Sequence, residues 1–493
     1  MIFNSLEFLL FFPVVVIIYY ILPQQKYRLW FLLAASCYFY MSFIPVYVII
    51  LIISGFVDYT GSNLIEKYRH NAKIKRLCFL IPIIVDLTLL GYFKYAYFTS
   101  DIINFFGFKI GLDPIVLPKI ILPIGISFHT FQGIGYMIDV YKGKVAVEKN
   151  PVTYTVYLMF FPQLVAGPIE RPDNLLPQLK RKHDLDADNF KEGMRIMFRG
   201  FIKKLVVADL SAQFVNAVYN DPASATGPLV ILATVLFAFQ IYCDFSGYTD
   251  IAIGCARMMG IRLIKNFDRP YVSKSIKEFW SRWHISLSSW FRDYLYIPLG
   301  GNRVKVPRYL LNIMIVFLVS GLWHGADWTF IIWGALHGFY QITEYLTRNV
   351  RAGAYKRLNI DQNGRLASAW KNALTFILVC FAWIFFRANN VSELGILLNR
   401  LFFAWPGSIG GALASLGNIG YGALQVSLTI LSIYVISVLD LYPGAVSNEK
   451  SEPGGKLDFL YLNRYVISVW VIALAWLILL TGDGVSAFIY FQF

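Results

Sequence analysis

Histidine is the side chain best suited to proton transfer near neutral pH, and one histidine of this sequence occupies an unusual place. His324 lies inside the apolar stretch SGLWHGADWTFIIWGALHG, residues 320–338. An imidazole can accept and return a proton near neutral pH, so His324 is a candidate general base in a water-poor cavity. The alternative is a histidine that only hydrogen-bonds the backbone around a helix break. The spacing alone favours neither role.

Other polar side chains interrupt apolar stretches, and each has a functional and a structural interpretation. His284 follows Trp283 in KSIKEFWSRWHISLSSWFRDYLYIPLGGNR and is either an active-site group or a residue packed among tryptophans, the latter being favoured. Asp244, in YCDFSGYTDIAIG, could orient a histidine, bind a cation or pair within a structural network. For His129 and His337 we expect packing roles in the interior.

The segments that must position these residues have the composition of membrane helices. Hydrophobic residues make up 57% of the 493-residue chain and charged residues 15%, against about 25% charged in soluble domains. Apolar runs near the length of about 20 residues that crosses a bilayer recur from end to end. We therefore predict ten to twelve membrane segments in one domain covering residues 1–493. The predicted spans are 5–22, 28–43, 44–58, 76–93, 118–139, 152–167, 195–211, 228–255, 309–346, 371–388, 423–441 and 465–482.

The net charge of +14 indicates membrane topology rather than nucleic-acid binding. Lys and Arg are concentrated in loops such as EKYRHNAKIKR, QLKRKHD and YLTRNVRAGAYKR, as the positive-inside rule expects of cytoplasmic loops. Residues 170–204 are too polar for hydrocarbon, and we predict a cytoplasmic connection with an amphipathic helix near its end. The five cysteines form no close pair, so we predict neither a disulfide framework nor a metal site.

The run at residues 309–346 is too long for one crossing. Its 38 positions would extend about 57 Å as a helix, whereas the hydrocarbon core is about 30 Å thick. Gly321 and Gly325 flank His324 and mark the weakest helical point, so we predict a break there between two apolar halves of about a dozen residues. Each half would be short for a full crossing. Broken backbone at membrane depth must line a cavity or be buried in protein, so His324 is expected to line a cavity.

Residues 257–308 mix bulky aromatic side chains with charges. On one continuous helix Phe279, Trp283, Trp290 and Tyr294 would form a single stripe. Such a stripe is typical of a helix at the membrane interface, which would not exclude a functional site in the same segment.

Together these motifs resemble the membrane-bound O-acyltransferases. The histidine in SGLWHGADWTFIIWGALHG matches the family's central signature, and His284, between Trp283 and Trp290, matches a second signature position. Further stretches resemble the bacterial branch that acetylates exported polysaccharides such as alginate. They are MIFNSLEFLLFFPVV, LPIGISFHTFQGIGYMIDVY, FFPQLVAGPIERP, FRGFIKKLVVAD, YCDFSGYTDIAIG and FAWIFFRA. One departure is His129, where that branch is expected to have an aromatic residue.

The resemblance implies an all-α, polytopic membrane bundle of about eleven segments, with re-entrant or broken helices around a central passage. It implies catalytic roles for His324 and His284, with His324 as general base. We further expect Trp323, Asp244, Trp283 and Arg292 to contact substrate. No metal and no permanently bound cofactor are expected, and acetyl-CoA is the expected donor.

The same resemblance implies a partner and a location. We expect the acyl thioester donor to enter from the cytoplasm and the acetyl group to pass to an extracytoplasmic, hydrolase-like acetyltransferase that modifies a polysaccharide. The chain would lie among lipids in the bacterial cytoplasmic (inner) membrane, without a nucleic-acid partner. The alternatives are a transporter or flippase, which also uses broken helices with polar centres, and a structural subunit of a polysaccharide export complex.

Overall fold

A computed structural model describes residues 1–165 and 167–408, together with 411, 427 and 429–434. Those residues form helices and connecting loops, without a β-strand among them. The predicted all-α class is therefore confirmed. The predicted spans 423–441 and 465–482 lie outside the described residues, apart from 427 and 429–434.

The chain divides into two compact units, which are treated separately. The first comprises Met1–Met197, Ile251–Lys265 and Arg292–Tyr294. The second comprises Phe198–Asp250, Asn266–Phe291 and the described residues from Leu295 onwards.

The first unit is built largely from the N-terminal helices, among which α3, α4 and α6 pack on one another. Its helices are α1 (Leu6–Ile21), α2 (Gln25–Met41), α3 (Tyr47–Lys67), α4 (Ala72–Leu90), α5 (Ala96–Phe108), α6 (Ile126–Tyr141), α7 (Pro151–Met159), α8 (Phe161–Leu164) and α9 (Pro172–Lys180). A π-helical turn, Gly91–Tyr95, joins α4 to α5. The span predicted at 152–167 is instead two short helices, because the chain turns at Phe160 and Pro162 starts the next helical turn.

The second unit holds the histidine-bearing segments, with α15 packed along α16 and α18 packed on α16. Its helices are α11 (Asp209–Tyr219), α13 (Ile276–Arg282), α14 (Ile285–Phe291), α15 (Val306–His324), α16 (Trp328–Leu346), α17 (Arg348–Arg357), α18 (Arg365–Arg387) and α19 (Val391–Phe403). Two helices, α10 (Ala187–Ile202) and α12 (Gly227–Met258), contribute residues to both units. A π-helical segment, Lys203–Ala208, joins α10 to α11.

Five helical runs among the described residues are long and apolar enough to cross a membrane. They are α3, the continuous run Ala72–Phe108, α12, α15 and α18. The helix α1 is apolar but shorter, at 16 residues. The chain is therefore a polytopic helical membrane protein.

The break predicted within residues 309–346 is confirmed. Helix α15 ends at His324, Gly325 is extended at φ −160°, and Asp327 caps α16 by accepting a hydrogen bond from the Thr329 N–H at 2.8 Å. The predicted length of the halves was wrong, since each helix has 19 residues. Helix α15 is longer than expected because it begins at Val306, upstream of the apolar run, with a proline in its first turn.

The single aromatic stripe predicted in residues 257–308 is not formed, because the segment is not one helix. Helix α13 ends at Arg282, and His284 adopts a left-handed conformation at φ +44° before α14 begins. The rings of Trp283 and Trp290 are buried in the protein, with 0% and 8% of their surface exposed. The break between α13 and α14 therefore determines the backbone conformation from which the His284 side chain extends.

Candidate active site

The first element of the candidate site is His324, the last residue of α15. Its imidazole is buried, with 3% of its surface exposed. Three aromatic rings surround it, with centroid distances of 4.8 Å to Trp323, 4.9 Å to Trp333 and 5.4 Å to Phe386. All three meet the imidazole edge to face. A histidine at a helix break is thus held by ring packing inside the protein.

Two glycines bring α15 and α16 close enough to hold this cluster. A Cβ added at Gly321 would collide with the carbonyl oxygen of Phe330, and one added at Gly334 would collide with that of Phe317. The two helices therefore touch through their backbones. This contact sets His324, three residues after Gly321, against Trp333 on the facing helix.

The second element is His284, between α13 and α14, which is fully buried. Its ring packs edge to face on Phe245 at 4.7 Å and on Trp323 at 6.0 Å. Its Nδ1 lies 3.1 Å from Oδ1 of Asn266, which is also fully buried. Burial lowers the pKa of His284 to about 3, so the imidazole is neutral at pH 7.

Trp323 contacts both histidines. Because its ring is 4.8 Å from His324 and 6.0 Å from His284, the two imidazole centroids are at most about 11 Å apart, the sum of those distances. Imidazoles that are buried among aromatic rings can accept and return protons in a site from which water is excluded. The structure thus brings together His324, His284 and Trp323, three of the residues expected to act in one site.

His337, the neighbouring histidine on α16, is held differently. Its Nδ1 accepts a hydrogen bond from the Trp280 indole N–H at 3.2 Å. Its ring also packs on Trp333 at 5.1 Å, so His324 and His337 contact the same indole. These contacts describe a histidine used in helix packing, as expected from the sequence.

Asp244 belongs to a group of ion pairs within the second unit. Its Oδ1 lies 2.8 Å from the Lys204 ammonium, which also contacts Asp209 at 2.8 Å. Nearby, Asp250 accepts two hydrogen bonds from Arg199, each at 3.0 Å, and pairs with Lys203 at 3.1 Å. These two neighbouring sets of pairs are called the ion cluster: Arg199, Lys203, Lys204, Asp209, Asp244 and Asp250. Each of its carboxylates is paired with at least one cation in the contacts described.

The remaining residues expected to contact substrate lie in different surroundings. Trp283 is fully buried, with its ring centroid 5.2 Å from both Phe267 and Trp383. Arg292 belongs to the first unit and is largely exposed, with its Nε donating to Asp293 Oδ1 at 2.8 Å. Their contacts with substrate remain predictions.

Sequence reasoning missed four residues of this site: Phe245, Asn266, Trp333 and Phe386. A weak signal existed for Asn266, since an uncharged amide stands within IRLIKNFDRP, eighteen residues before His284. The three aromatic residues had none, because buried aromatic residues in an apolar helix are ordinary core residues.

Comparisons with known proteins show which family the chain belongs to. Residues 146–388, which contain both histidines of the site, match the membrane-bound O-acyltransferase family. The chain is 36% identical to a "Probable alginate O-acetylase" of Pseudomonas putida over the full length of both chains. It is 36% identical to a "Peptidoglycan O-acetyltransferase" of Helicobacter pylori, over 74% of this chain and 72% of that one.

A more distant relative is a "Teichoic acid D-alanyltransferase" of Bacillus subtilis. It is 30% identical over 54% of this chain and 69% of its own. The full-length similarity, together with the family match across the histidine-bearing segments, identifies the protein: this chain belongs to the membrane-bound O-acyltransferase family and is a multi-pass membrane O-acyltransferase.

Proposed function

We propose that the chain takes an acetyl group from a cytoplasmic thioester, acetyl-CoA, and moves it across the bacterial cytoplasmic membrane for O-acetylation of an exported or cell-envelope polysaccharide. Two relatives support the acetyl group and the acceptor class, since their names specify O-acetylation of alginate and of peptidoglycan. The multi-pass architecture supports transfer between the two sides of a membrane.

The observation that carries this proposal is the pair of buried histidines that both contact Trp323. In the proposed step the acceptor hydroxyl oxygen bonds to the thioester carbonyl carbon while His324 accepts the hydroxyl proton. The carbon–sulfur bond then breaks, and the coenzyme A sulfur leaves and takes up that proton. A general base of this kind contributes about 10²–10⁴-fold to a rate. The aromatic enclosure keeps water from hydrolysing the thioester.

His284 is the second proposed participant, either orienting the acyl donor or stabilising charge on its carbonyl oxygen. An alternative mechanism passes the acetyl group through an acyl-histidine. The thioester carbon bonds to an imidazole nitrogen, the carbon–sulfur bond breaks and coenzyme A leaves as the thiol with the imidazole proton. The acceptor hydroxyl then takes the acetyl group and returns its proton to the imidazole. The direct and the acyl-histidine mechanisms use the same two residues. They differ in whether the acetyl group of the donor is ever covalently attached to the protein.

Further contacts complete the proposal. The exposed Arg292 guanidinium is proposed to bind the phosphates of coenzyme A, and Trp283, Trp323 and Asp244 remain proposed substrate contacts.

The proposal also includes a partner protein. An extracytoplasmic, hydrolase-like acetyltransferase would receive the acetyl group and deliver it to the polymer. A thioester-activated donor leaves the membrane protein mainly the tasks of alignment, proton removal and water exclusion.

The test is incubation of the purified chain with acetyl-CoA radiolabelled in the acetyl group, with and without an acceptor polysaccharide such as alginate, whose hydroxyl groups take up the acetyl group. Thioester turnover and protein-bound label are measured for wild type, His324→Ala and His284→Ala, with membrane insertion and thermal unfolding as controls for folding. We expect turnover by wild type and its loss in His324→Ala. Label on wild type that is absent from a histidine variant would indicate the acyl-histidine. Equal turnover in all three proteins would contradict the proposal and favour a transporter or a structural subunit.

A further inference from the structure

The hydrogen bonds around Asn266 carry an inference about which nitrogen of His284 bears the proton. Asn266 is fully buried and precedes α13 by ten residues. Its side-chain oxygen accepts from the Ser286 backbone N–H at 3.1 Å and from the Ser286 hydroxyl at 2.8 Å, and it lies 3.1 Å from His284 Nδ1. The Asn266 side-chain oxygen therefore lies within hydrogen-bond distance of three neighbouring groups.

The donor of each bond follows from these partners. A backbone N–H can only donate, so the end of the Asn266 amide that faces Ser286 must be the oxygen. That oxygen can only accept, and the same atom faces His284 Nδ1. The Ser286 hydroxyl also lies 3.4 Å from His284 Nδ1, but it donates to the closer Asn266 oxygen at 2.8 Å. The proton of the His284–Asn266 bond therefore sits on Nδ1. Since the imidazole is neutral in its aromatic surroundings, Nε2 then carries a lone pair.

Asn266 also holds the backbone of His284. The Asn266 carbonyl oxygen accepts a hydrogen bond from the Ile285 N–H at 2.8 Å, directly after His284. His284 has a left-handed backbone at φ +44°. This conformation costs an L-residue about 1–2 kcal/mol, which contacts with the surrounding structure must offset. One residue thus fixes both the backbone and the ring orientation of the histidine.

We infer that Asn266 is a positioning residue that keeps His284 in the Nδ1-protonated form, so that Nε2 acts as a hydrogen-bond acceptor. The inference rests on the proposed function and refines it. A neutral imidazole with its proton on Nδ1 cannot donate from Nε2 to a developing oxyanion. In this form Nε2 can act only as a hydrogen-bond acceptor, which removes charge stabilisation at the thioester carbonyl from the possible roles of His284.

The first test is nitrogen NMR of the wild-type protein in nanodiscs, with histidine labelled with ¹⁵N in both ring nitrogens. The His284 signals are assigned by their loss in His284→Gln, and two-bond couplings to ring protons tell Nδ1 from Nε2. We expect a protonated Nδ1 and an unprotonated Nε2 at pH 7. A proton on Nε2 would overturn the inference without any reference to activity.

The second test is a pair of variants at Asn266 measured for thioester turnover. Asn266→Leu keeps the size of the side chain and removes the acceptor, and we expect at least about tenfold lower kcat, as for other residues that orient a reacting imidazole. Asn266→Asp keeps an acceptor oxygen and should retain most of the activity. A merely structural role predicts that both variants lose activity together with thermal stability.

A double variant separates this inference from the proposed function. If Asn266 acts through His284, Asn266→Leu should have little further effect on the residual turnover of His284→Gln. An equal loss in both backgrounds would overturn the positioning role. Full turnover in His284→Gln would also overturn it, whereas turnover that does not depend on His324 would refute the proposed function itself.

Discussion

The second unit buries ionisable side chains in two contrasting ways. The ion cluster balances charge, because Lys204 lies between Asp209 and Asp244 while Asp250 is held by Arg199 and Lys203. The histidine site instead surrounds His284 and His324 with aromatic rings and an amide. In the first region ionised groups of opposite sign are paired. In the second, the contacts described for the imidazoles are with uncharged groups, and the proposed proton transfer takes place at His324.

The largest expected effect on folding comes from breaking the ion cluster at Lys204. Lys204→Met removes the cation shared by two carboxylates, and loss of one partner from a buried pair costs about 3–5 kcal/mol. We expect little folded protein in the membrane, measured by size-exclusion chromatography of a fluorescent fusion after detergent extraction.

The matched control is the adjacent lysine. Lys203→Met leaves Asp250 with its two hydrogen bonds from Arg199, so its effect should be clearly smaller. Equal losses of folded protein for the two lysine variants would contradict the greater dependence of folding on Lys204, the cation shared by Asp209 and Asp244.

A smaller effect is expected from widening the hairpin that holds the histidine site. Gly321→Ala places a methyl group against the Phe330 carbonyl and should cost about 1–3 kcal/mol, as overpacking does elsewhere. Because His324 moves with α15, turnover should fall more than the thermal midpoint suggests. Both quantities are measured on the purified variant.

Gly353→Ala provides the comparison, since a Cβ at this position on the exposed helix α17 meets open space. We expect stability unchanged or raised by up to about 1 kcal/mol. If the two alanine variants behaved alike, the close approach of α15 and α16 would not be what positions His324.

A pH-dependent effect is expected from a carboxyl group that is buried without an ion pair of its own in the contacts described. Glu170, in the first unit, accepts hydrogen bonds from Asn174 at 2.7 Å and from the Ile264 N–H at 2.6 Å. Burial raises its pKa from 4.5 to about 7. The folded state therefore holds this proton more tightly than the unfolded state does.

The sign of the pH dependence follows from that difference. The contribution of Glu170 to the free energy of unfolding is greatest below pH 4.5, falls as the pH rises to about 7, and is constant above it. Glu170→Gln should remove this part of the dependence. The test compares thermal midpoints of both proteins at pH 5 and pH 8, where an identical pH difference in the two would contradict the raised pKa.

The sequence allowed the broken helix to be predicted because its causes are local. The length of the apolar run and the glycines around His324 can be read from one stretch of sequence, and the run can be compared with the known thickness of a bilayer. The left-handed His284 could not be predicted in the same way, because its conformation depends on Asn266, eighteen residues away. A non-glycine residue at positive φ has no reliable local signal.

The ion cluster shows a second limit of the sequence. Lys204 ends a polar stretch that was expected to be a cytoplasmic connection, yet its side chain is buried beside Asp244. The positive-inside rule counts charges near membrane ends and does not consider their partners. The aspartates within α12 were the available sign that cations would be buried against that helix.

The most direct measurement compares the same substitution at two histidines that contact the same indole. His324→Gln and His337→Gln both remove an imidazole packed on Trp333, at 4.9 and 5.1 Å. Thioester turnover is measured for each with folding confirmed. If His324 is the general base, His324→Gln should lower turnover by about 10²–10⁴-fold and His337→Gln by far less. Equal turnover in the two variants would contradict a catalytic role specific to His324.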